Sequence, residues 1–123
     1  MPILEIEIVT SGGESLDDAL ATRLADAAGR VFETVAGGTW VRLRGLPRDC
    51  YAENGGGPPE GVLPVFVDIL LADPPQGEEL RLQVHRLTLA IAKVCARPPE
   101  NVHLRYQPAA RGRVAFGGKL VSD

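Results

Sequence analysis

The first strand-length segment of the chain alternates between apolar and acidic residues. Leu4, Ile6 and Ile8 occupy every second position, and Glu5 and Glu7 separate them. A period of two is typical of a β-strand that buries one face and exposes the other. The pattern therefore predicts a half-buried strand near the N-terminus.

The next segment has the pattern of an amphipathic helix. Ser15, with Asp18 three residues later, resembles a capping box, and Gly37-Gly38 marks the expected end of the helix. The apolar residues between these signals recur at helical spacing: Leu16, Leu20, Leu24, Val31 and Val35. We expect this helix to pack its apolar side on a sheet.

A strand and a helix are also predicted in the second half of the chain. The segment from Val65 to Leu71 is a more apolar strand, and Pro74-Pro75 precede a helix opened by Glu78 and Glu79. Pro98-Pro99 ends that helix. Its expected buried residues are Leu80, Val84, Leu87, Ile91 and Val94.

Cations alternate with apolar residues in a further strand of each half. Arg42 and Arg44 share one face of this strand with Trp40, because side chains two residues apart point the same way. In the second half His103 and Arg105 occupy the corresponding places.

These similarities form an internal repeat. Pro2 to Leu16 is echoed by Pro64 to Leu80, and Val41 to Pro47 corresponds to Val102 to Pro108 at an offset of about 61 residues. Each half then consists of strand, helix, strand and a short glycine-rich hairpin. The comparison makes Pro64 the counterpart of Pro2.

The repeat predicts one α+β domain, residues 1–123, with pseudo-repeats 1–61 and 62–123. A βαβ crossover leaves its two strands parallel, so two halves side by side give a four-stranded, mainly parallel sheet. Both helices cover one face of this two-layer α/β sandwich, and short hairpins complete it. The other face carries Trp40, so we expect a closed homo-oligomer to cover it.

Composition excludes several classes of function. The 123 residues carry a formal net charge of −3, and this overall charge gives no sign of binding to nucleic acid or to an acidic membrane. A secretory signal would have an uninterrupted apolar core near the N-terminus, and Glu5 and Glu7 lie within that stretch. We therefore expect a cytoplasmic protein. Cys50 and Cys95 are expected to be free thiols.

The residue with the most distinctive chemistry is Pro2. Removal of Met1 would leave Pro2 with a free secondary amine, whose pKa of about 8 falls on burial near cations. Such an amine is a candidate general base at neutral pH. The alternative is that this proline simply opens a strand, where its missing N–H has no cost.

The chain resembles the tautomerase superfamily, whose members include 4-oxalocrotonate tautomerase and macrophage migration inhibitory factor. The resemblance rests on the N-terminal Met-Pro-aliphatic start, the duplicated βαβ unit and the segment from Val102 to Ser122. It implies a homotrimer with the active site near Pro2 at a subunit boundary. It also implies a small, carboxylate-bearing carbonyl substrate.

The same resemblance implies roles for other residues. Arg42 lies where single-unit tautomerases carry their strand arginine, and His103 has the same place in the second half. Arg44 and Arg105 are further candidates for binding a carboxylate or enolate, since a guanidinium binds carboxylate bidentately. Val114 stands where the hairpin aromatic of those enzymes lies. The arginine that they carry after the first strand is absent from both halves, which argues against a dicarboxylate clamp.

A second interpretation involves Glu53. The segment Tyr51 to Gly55 resembles the hairpin in which related dehalogenases place a water-activating glutamate. Glu53 would then activate water, and a protonated Pro2 would donate a proton. An exposed glutamate in a turn is the alternative.

The sequence therefore predicts a cofactor-independent tautomerase or isomerase acting on small 2-oxo or enol acids, with Pro2 and Arg42 as catalytic residues. Two alternatives stay open: a hydratase or dehalogenase that uses Glu53, and a non-catalytic trimeric binding module. No metal is expected, because His85 and His103 have no neighbouring ligands at suitable spacing.

Overall fold

A computed structural model describes residues 2–122 of the chain. Two strand–helix–strand units follow one another along it, and a small two-stranded hairpin comes after the second. The strands are β1 (Ile3–Thr10), β2 (Trp40–Pro47), β3 (Val65–Leu70), β4 (Val102–Tyr106), β5 (Ala115–Phe116) and β6 (Lys119–Leu120). The helices are α1 (Leu20–Phe32) and α2 (Gly77–Cys95). One short 3-10 turn, Arg48–Cys50, follows β2, and another, Pro99–Asn101, directly precedes β4.

The four longer strands form one mixed sheet in the order β2-β1-β3-β4. β1 is parallel to β2, and β3 is parallel to β4, as expected for two βαβ units. The central pair, β1 and β3, is antiparallel. β5 and β6 form a separate two-stranded hairpin. The predicted α+β fold is confirmed.

One face of the sheet packs against both helices and forms the core. Leu24 of α1 and Leu87 and Ile91 of α2 are fully buried. Together with inward-facing strand residues they make a single hydrophobic cluster. The strand residues of this cluster are Leu4, Ile6, Ile8, Val65, Val67, Ile69 and Val102. Both helices therefore lie on the same face, as the repeat predicts.

Helix α1 is shorter than the sequence pattern predicts. It begins at Leu20 instead of near Ser15, because the Asp17 carboxylate accepts a hydrogen bond from the Ala19 N–H at 2.9 Å just before it. It ends where Glu33 adopts a left-handed backbone (φ 56°). Val35, although at helical spacing, lies beyond this end and is 82% exposed, so its predicted burial is wrong.

Helix α2 agrees more closely with the prediction. Its first turn contains Glu78 and Glu79, whose charges are favourable at a helix N-terminus. It ends at Ala96, also left-handed at φ 55°, whose N–H donates to carbonyl groups of the last turn. Of the predicted apolar stripe, Leu87 and Ile91 are buried, and Leu80, Val84 and Val94 are partly buried.

The strand faces correct the alignment of the two repeats. Leu4 faces the core in the first half, and Val65 does so in the second. Side chains alternate strictly along a strand, so equivalent residues must share a face. The offset is therefore 61 throughout, and the counterpart of Pro2 is Leu63 instead of Pro64.

Arg97 links the two halves. It is 14% exposed and donates hydrogen bonds to the carbonyl groups of Val9 and Leu63, each at 3.2 Å, and of Cys95 at 3.4 Å. It also lies 3.6 Å from a carboxylate oxygen of Glu14. The side chain thus joins the end of β1, the segment before β3 and the end of α2.

Candidate active site

The face of the sheet opposite the helices carries the cations that the sequence singled out. Arg42 and Arg44 of β2 and His103 and Arg105 of β4 all lie on it and are exposed. Trp40 lies at the edge of the same face and is 48% exposed. These side chains are available to a substrate or to another subunit.

Each of the three strand arginines on this face is paired with a carboxylate of the neighbouring strand. Arg42 lies 2.9 Å from Glu5. Arg44 lies 2.9 Å from Glu7. Each arginine stands directly opposite its partner in the register of the sheet. The paired carboxylates therefore already neutralise much of this positive charge.

The third pair has two hydrogen bonds. The Arg105 guanidinium donates to both carboxylate oxygens of Asp68, at 2.9 and 2.7 Å. Hydrogen bonding to Asp68, followed by its charge, raises the pKa of Arg105 above its ordinary value. Glu7 has the same effect on the pKa of Arg44. Both guanidinium groups consequently stay charged.

A cavity of about 450 Å³ lies at the end of the sheet where β1 begins. Ile3, Arg42, Arg113 and Val114 contribute to its wall. Pro2 is buried immediately before Ile3, and its carbonyl accepts a hydrogen bond from the Trp40 N–H at 3.0 Å. Two candidates from the sequence, Arg42 and Val114, thus come together beside the third, Pro2.

The loop that carries Val114 is anchored to the core. Ala110 is buried, and its N–H donates to the Leu71 carbonyl at 2.9 Å. The Ala110 carbonyl in turn accepts the N–H groups of Arg113 and Val114 at 2.9 and 3.0 Å. The Val114 carbonyl accepts the Val121 N–H at 2.8 Å. These bonds hold the backbone of both residues in place at the cavity.

An aromatic contact ties the following hairpin to the start of β2. The rings of Trp40 and Phe116 meet edge to face, with centroids 5.5 Å apart and planes at 89°. This is a favoured geometry for aromatic pairs.

The other candidates lie in a second cavity, of about 390 Å³. It is nearer the middle of the sheet face opposite the helices, which we call the open face. Arg44, His103 and Arg105 line it, together with Phe66. The rings of Phe66 and His103 lie 5.5 Å apart. This cavity does not include Ile3 or Val114 among its lining residues.

Glu53 lies toward the opposite end of the sheet from Pro2. Its carboxylate accepts a hydrogen bond from the Tyr51 hydroxyl at 2.7 Å, and the ring of Tyr51 lies 5.7 Å from that of Phe66. Phe66 pairs with Glu7, five residues of β1 from Pro2, or about 17 Å. The hydrogen bond to Glu53 also raises the pKa of Tyr51. Glu53 and Pro2 therefore do not meet within one chain.

Arg113 is the residue of this region that the sequence did not single out. Only its position next to Val114 pointed to it. Across residues 2–122 no group of three or more His, Cys, Asp or Glu side chains is arranged to hold a metal ion. Within the same residues, no helix is long and apolar enough to cross a membrane.

No family model matches the chain, and no curated protein matches it. Solved structures do match. A wild-type fused 4-OT symmetric trimer superposes with a TM-score of 0.75 at 15% identity, covering 98% of this chain and 95% of that one. Pt0534 inactivated by 2-oxo-3-pentynoate gives a TM-score of 0.74 at 15% identity, with the same coverage.

A third match is a macrophage migration inhibitory factor homologue from Prochlorococcus marinus. Its TM-score is 0.70 at 11% identity, and the match covers 98% of this chain and 99% of that one. These likenesses establish that the chain has the tautomerase-superfamily fold, as its sequence resemblance predicts.

Proposed function

We propose that the protein belongs to the tautomerase superfamily and is a cofactor-independent tautomerase or isomerase of small 2-oxo or enol carboxylic acids. The observation that carries this proposal is the buried Pro2 at the start of β1, beside a cavity lined by Arg42 and Val114. Met1 lies outside the described residues, and the proposal requires its removal.

The free amine of Pro2 would act as the base. Burial disfavours its protonated form and lowers its pKa toward neutrality. It takes the proton from the enol hydroxyl of the substrate and returns a proton to the neighbouring carbon, which leaves the ketone. The amine ends the cycle as it began, so no cofactor is required.

Arg42 would stabilise the negative charge that develops on the substrate oxygen. Glu5 lies close to one terminal nitrogen of its guanidinium. A guanidinium has five N–H donors, so others stay available for the substrate. Because the charge on Arg42 is fixed beside the cavity before the reaction, it favours the enolate without rearrangement.

We further propose a homotrimer with sites at the subunit boundaries. The open face of the sheet exposes Trp40 and carries a second cavity lined by Arg44, His103 and Arg105. In such an assembly these three residues are available to bind the substrate of a neighbouring subunit. A fused 4-OT protein of this fold is a symmetric trimer, which supports the proposal.

The proposal treats residues 1–123 as one cytoplasmic domain with pseudo-repeats 1–61 and 62–123. The 61-residue offset between equivalent strand positions supports this division.

The direct test compares a protein with a free Pro2 amine and a protein whose Pro2 nitrogen is part of a peptide bond. One preparation is processed to begin at Pro2, and the other keeps a short N-terminal extension; intact mass verifies both. We expect ketonisation of phenylenolpyruvate by the first and a rate lower by about 100-fold or more in the second. Equal rates would overturn the role of Pro2. Absence of ketonisation in both would leave the hydratase or dehalogenase and the non-catalytic trimeric binding module.

Covalent labelling provides an independent measurement. Pt0534, which has the same fold, was inactivated by 2-oxo-3-pentynoate. In a Cys50→Ser background, which removes the exposed thiol, we expect this reagent to add once to the preparation that begins at Pro2 and to leave the extended one unmodified. Peptide mass spectrometry then locates the adduct.

A second candidate function is hydration or hydrolytic dehalogenation of unsaturated acids. The observation that favours it is the hydrogen bond from Tyr51, which orients the Glu53 carboxylate. Glu53 would have to approach the Pro2 of another subunit. Halide release from 3-haloacrylates that is lost in Glu53→Gln, with ketonisation retained, would support this function.

A further inference from the structure

The inference concerns the substrate class of the site described above, and it rests on the proposed function. Four charged side chains line the cavity beside Pro2: Arg42, Arg113, Glu5 and Asp68. Their formal charges cancel. The anion that the cavity accepts therefore depends on which of these four side chains already form ion pairs with each other or with neighbours.

Three of the four have partners of opposite charge. Arg42 lies 2.9 Å from Glu5, and Asp68 accepts two hydrogen bonds from Arg105. Within the described part of the chain, no carboxylate lies within ion-pair distance of the Arg113 guanidinium. Arg113 is thus the cation of this cavity that no carboxylate of residues 2–122 neutralises.

An unpaired guanidinium is the better anchor for a carboxylate. It can form two parallel hydrogen bonds to the anion without displacing a protein carboxylate. Arg42 must share its donors with Glu5, which also repels a second anion at that side of the cavity. The wall therefore favours one carboxylate, at Arg113, and disfavours a second near Arg42.

The position of Arg113 suits this role. Its backbone N–H donates a hydrogen bond to the carbonyl of buried Ala110 at 2.9 Å, so the backbone that carries the side chain is held in place. Arg113 and Ile3 line the same cavity, and Pro2 directly precedes Ile3. A small acid held at Arg113 would present its adjacent carbon atoms toward the start of β1.

We propose that Arg113 binds the substrate carboxylate and that the site prefers monocarboxylates to dicarboxylates. Arg113 anchors the substrate, and Arg42 acts on the developing enolate.

The first test measures kinetics with Arg113→Gln, Arg113→Lys and, as a matched control, Arg86→Gln on the exposed surface of α2. We expect Arg113→Gln to raise KM for phenylenolpyruvate about 10- to 100-fold, with kcat changed far less. Lysine should restore part of the affinity because it keeps the charge. An unchanged KM in Arg113→Gln, with the wild type active, would overturn the inference and leave the proposed function intact.

The second test measures preference with a matched pair of inhibitors. Crotonate and fumarate share a four-carbon unsaturated skeleton but carry one and two carboxylates. We expect crotonate to compete about tenfold or more better than fumarate, and Arg113→Gln to lose this preference. Tighter competition by fumarate than by crotonate would contradict the proposed preference for monocarboxylates.

The third test does not depend on activity. Addition of crotonate to isotopically labelled protein that begins at Pro2 should shift the Arg113 Nε–H resonance, assigned by its loss in Arg113→Gln. A shift in a protein without ketonisation activity would support the anchor and reject the proposed function. No shift at saturating crotonate would reject the anchor.

Discussion

Arg105 and Asp68 face each other across β3 and β4 and share two hydrogen bonds, of 2.9 and 2.7 Å. At an offset of 61 residues, Arg44 and Glu7 form the equivalent pair across β1 and β2. The repeat thus preserves one arginine–carboxylate pair in each half. Both pairs neutralise charge on the open face of the sheet.

The positions of the three strand arginines relative to Pro2 predict unequal effects of their substitution. Arg42→Gln, at the cavity beside Pro2, is expected to lower kcat/KM for ketonisation about 100-fold. Arg44→Gln and Arg105→Gln should lower it less, by about tenfold or less, because both line the second cavity and not the one beside Pro2. Steady-state kinetics on the three variants checks the order. A larger loss in Arg105→Gln than in Arg42→Gln would contradict the assignment of Arg42.

Arg97 is expected to be important for stability. Arg97→Met removes three hydrogen bonds to carbonyl groups and a nearby ion pair from a side chain that is 14% exposed. We expect the free energy of unfolding to fall by about 2–4 kcal/mol, measured by urea denaturation. Arg86→Met on exposed α2 is the control, with a change of about 0.5 kcal/mol or less. Equal effects would show that the carbonyl contacts contribute little.

The two cysteines should react very differently. Cys50 is exposed, whereas burial raises the pKa of the Cys95 thiol to about 11. The thiolate is the reactive form, so we expect a disulfide reagent at neutral pH to modify Cys50 alone in the folded protein and both thiols in denaturant. Cys50→Ser should abolish the fast reaction. Fast labelling of that variant would mean that Cys95 is accessible.

Tyr106 is expected to make stability fall at alkaline pH. Burial raises its pKa from 10 to about 12, and its hydroxyl donates to Gln83 at 2.6 Å. Between these values the unfolded chain loses the proton while the folded one keeps it, so the free energy of unfolding decreases as pH rises. Urea denaturation across this range measures the slope.

The matched variant is Tyr106→Phe, which should flatten that slope at the cost of the hydrogen bond. Part of the slope will stay, because the pKa of Tyr51 is also raised, chiefly by its hydrogen bond to Glu53. Burial of Cys95, whose pKa is raised to about 11, adds to the remaining slope. An unchanged slope in Tyr106→Phe would show that Tyr106 contributes little to the alkaline effect.

The strands were the most predictable elements, and the reason is physical. Alternation at Leu4, Ile6 and Ile8 can place only one face in the core, and the structure buries all three. The start of α1 was less predictable, because the Asp17 carboxylate accepts the Ala19 N–H in a local turn, so the helix begins after Ser15 and Asp18 and has no side-chain cap at Ala19. The end was obscured in the same way, since Val35 continues the spacing after Glu33 has already ended the helix.

The candidate site could be predicted only in part. Arg42 and Val114 were singled out by the resemblance to the tautomerase superfamily, and the structure brings both to one cavity. Arg113 could not be recognised, because its importance depends on which carboxylates the other arginines engage across the sheet. The apparent match of Pro64 with Pro2 failed because two prolines in similar sequences need not occupy the same face of a strand.

The antiparallel contact of β1 with β3 relates the two halves of the chain by an approximate two-fold axis. The sheet therefore has two similar ends, and Pro2 lies at one of them. At the other end Leu63 takes the place of Pro2 and supplies a peptide nitrogen, which has no basicity. Under the proposed function, a trimer contains six related edge positions but three working bases. The remaining three are free to diverge without loss of proton transfer.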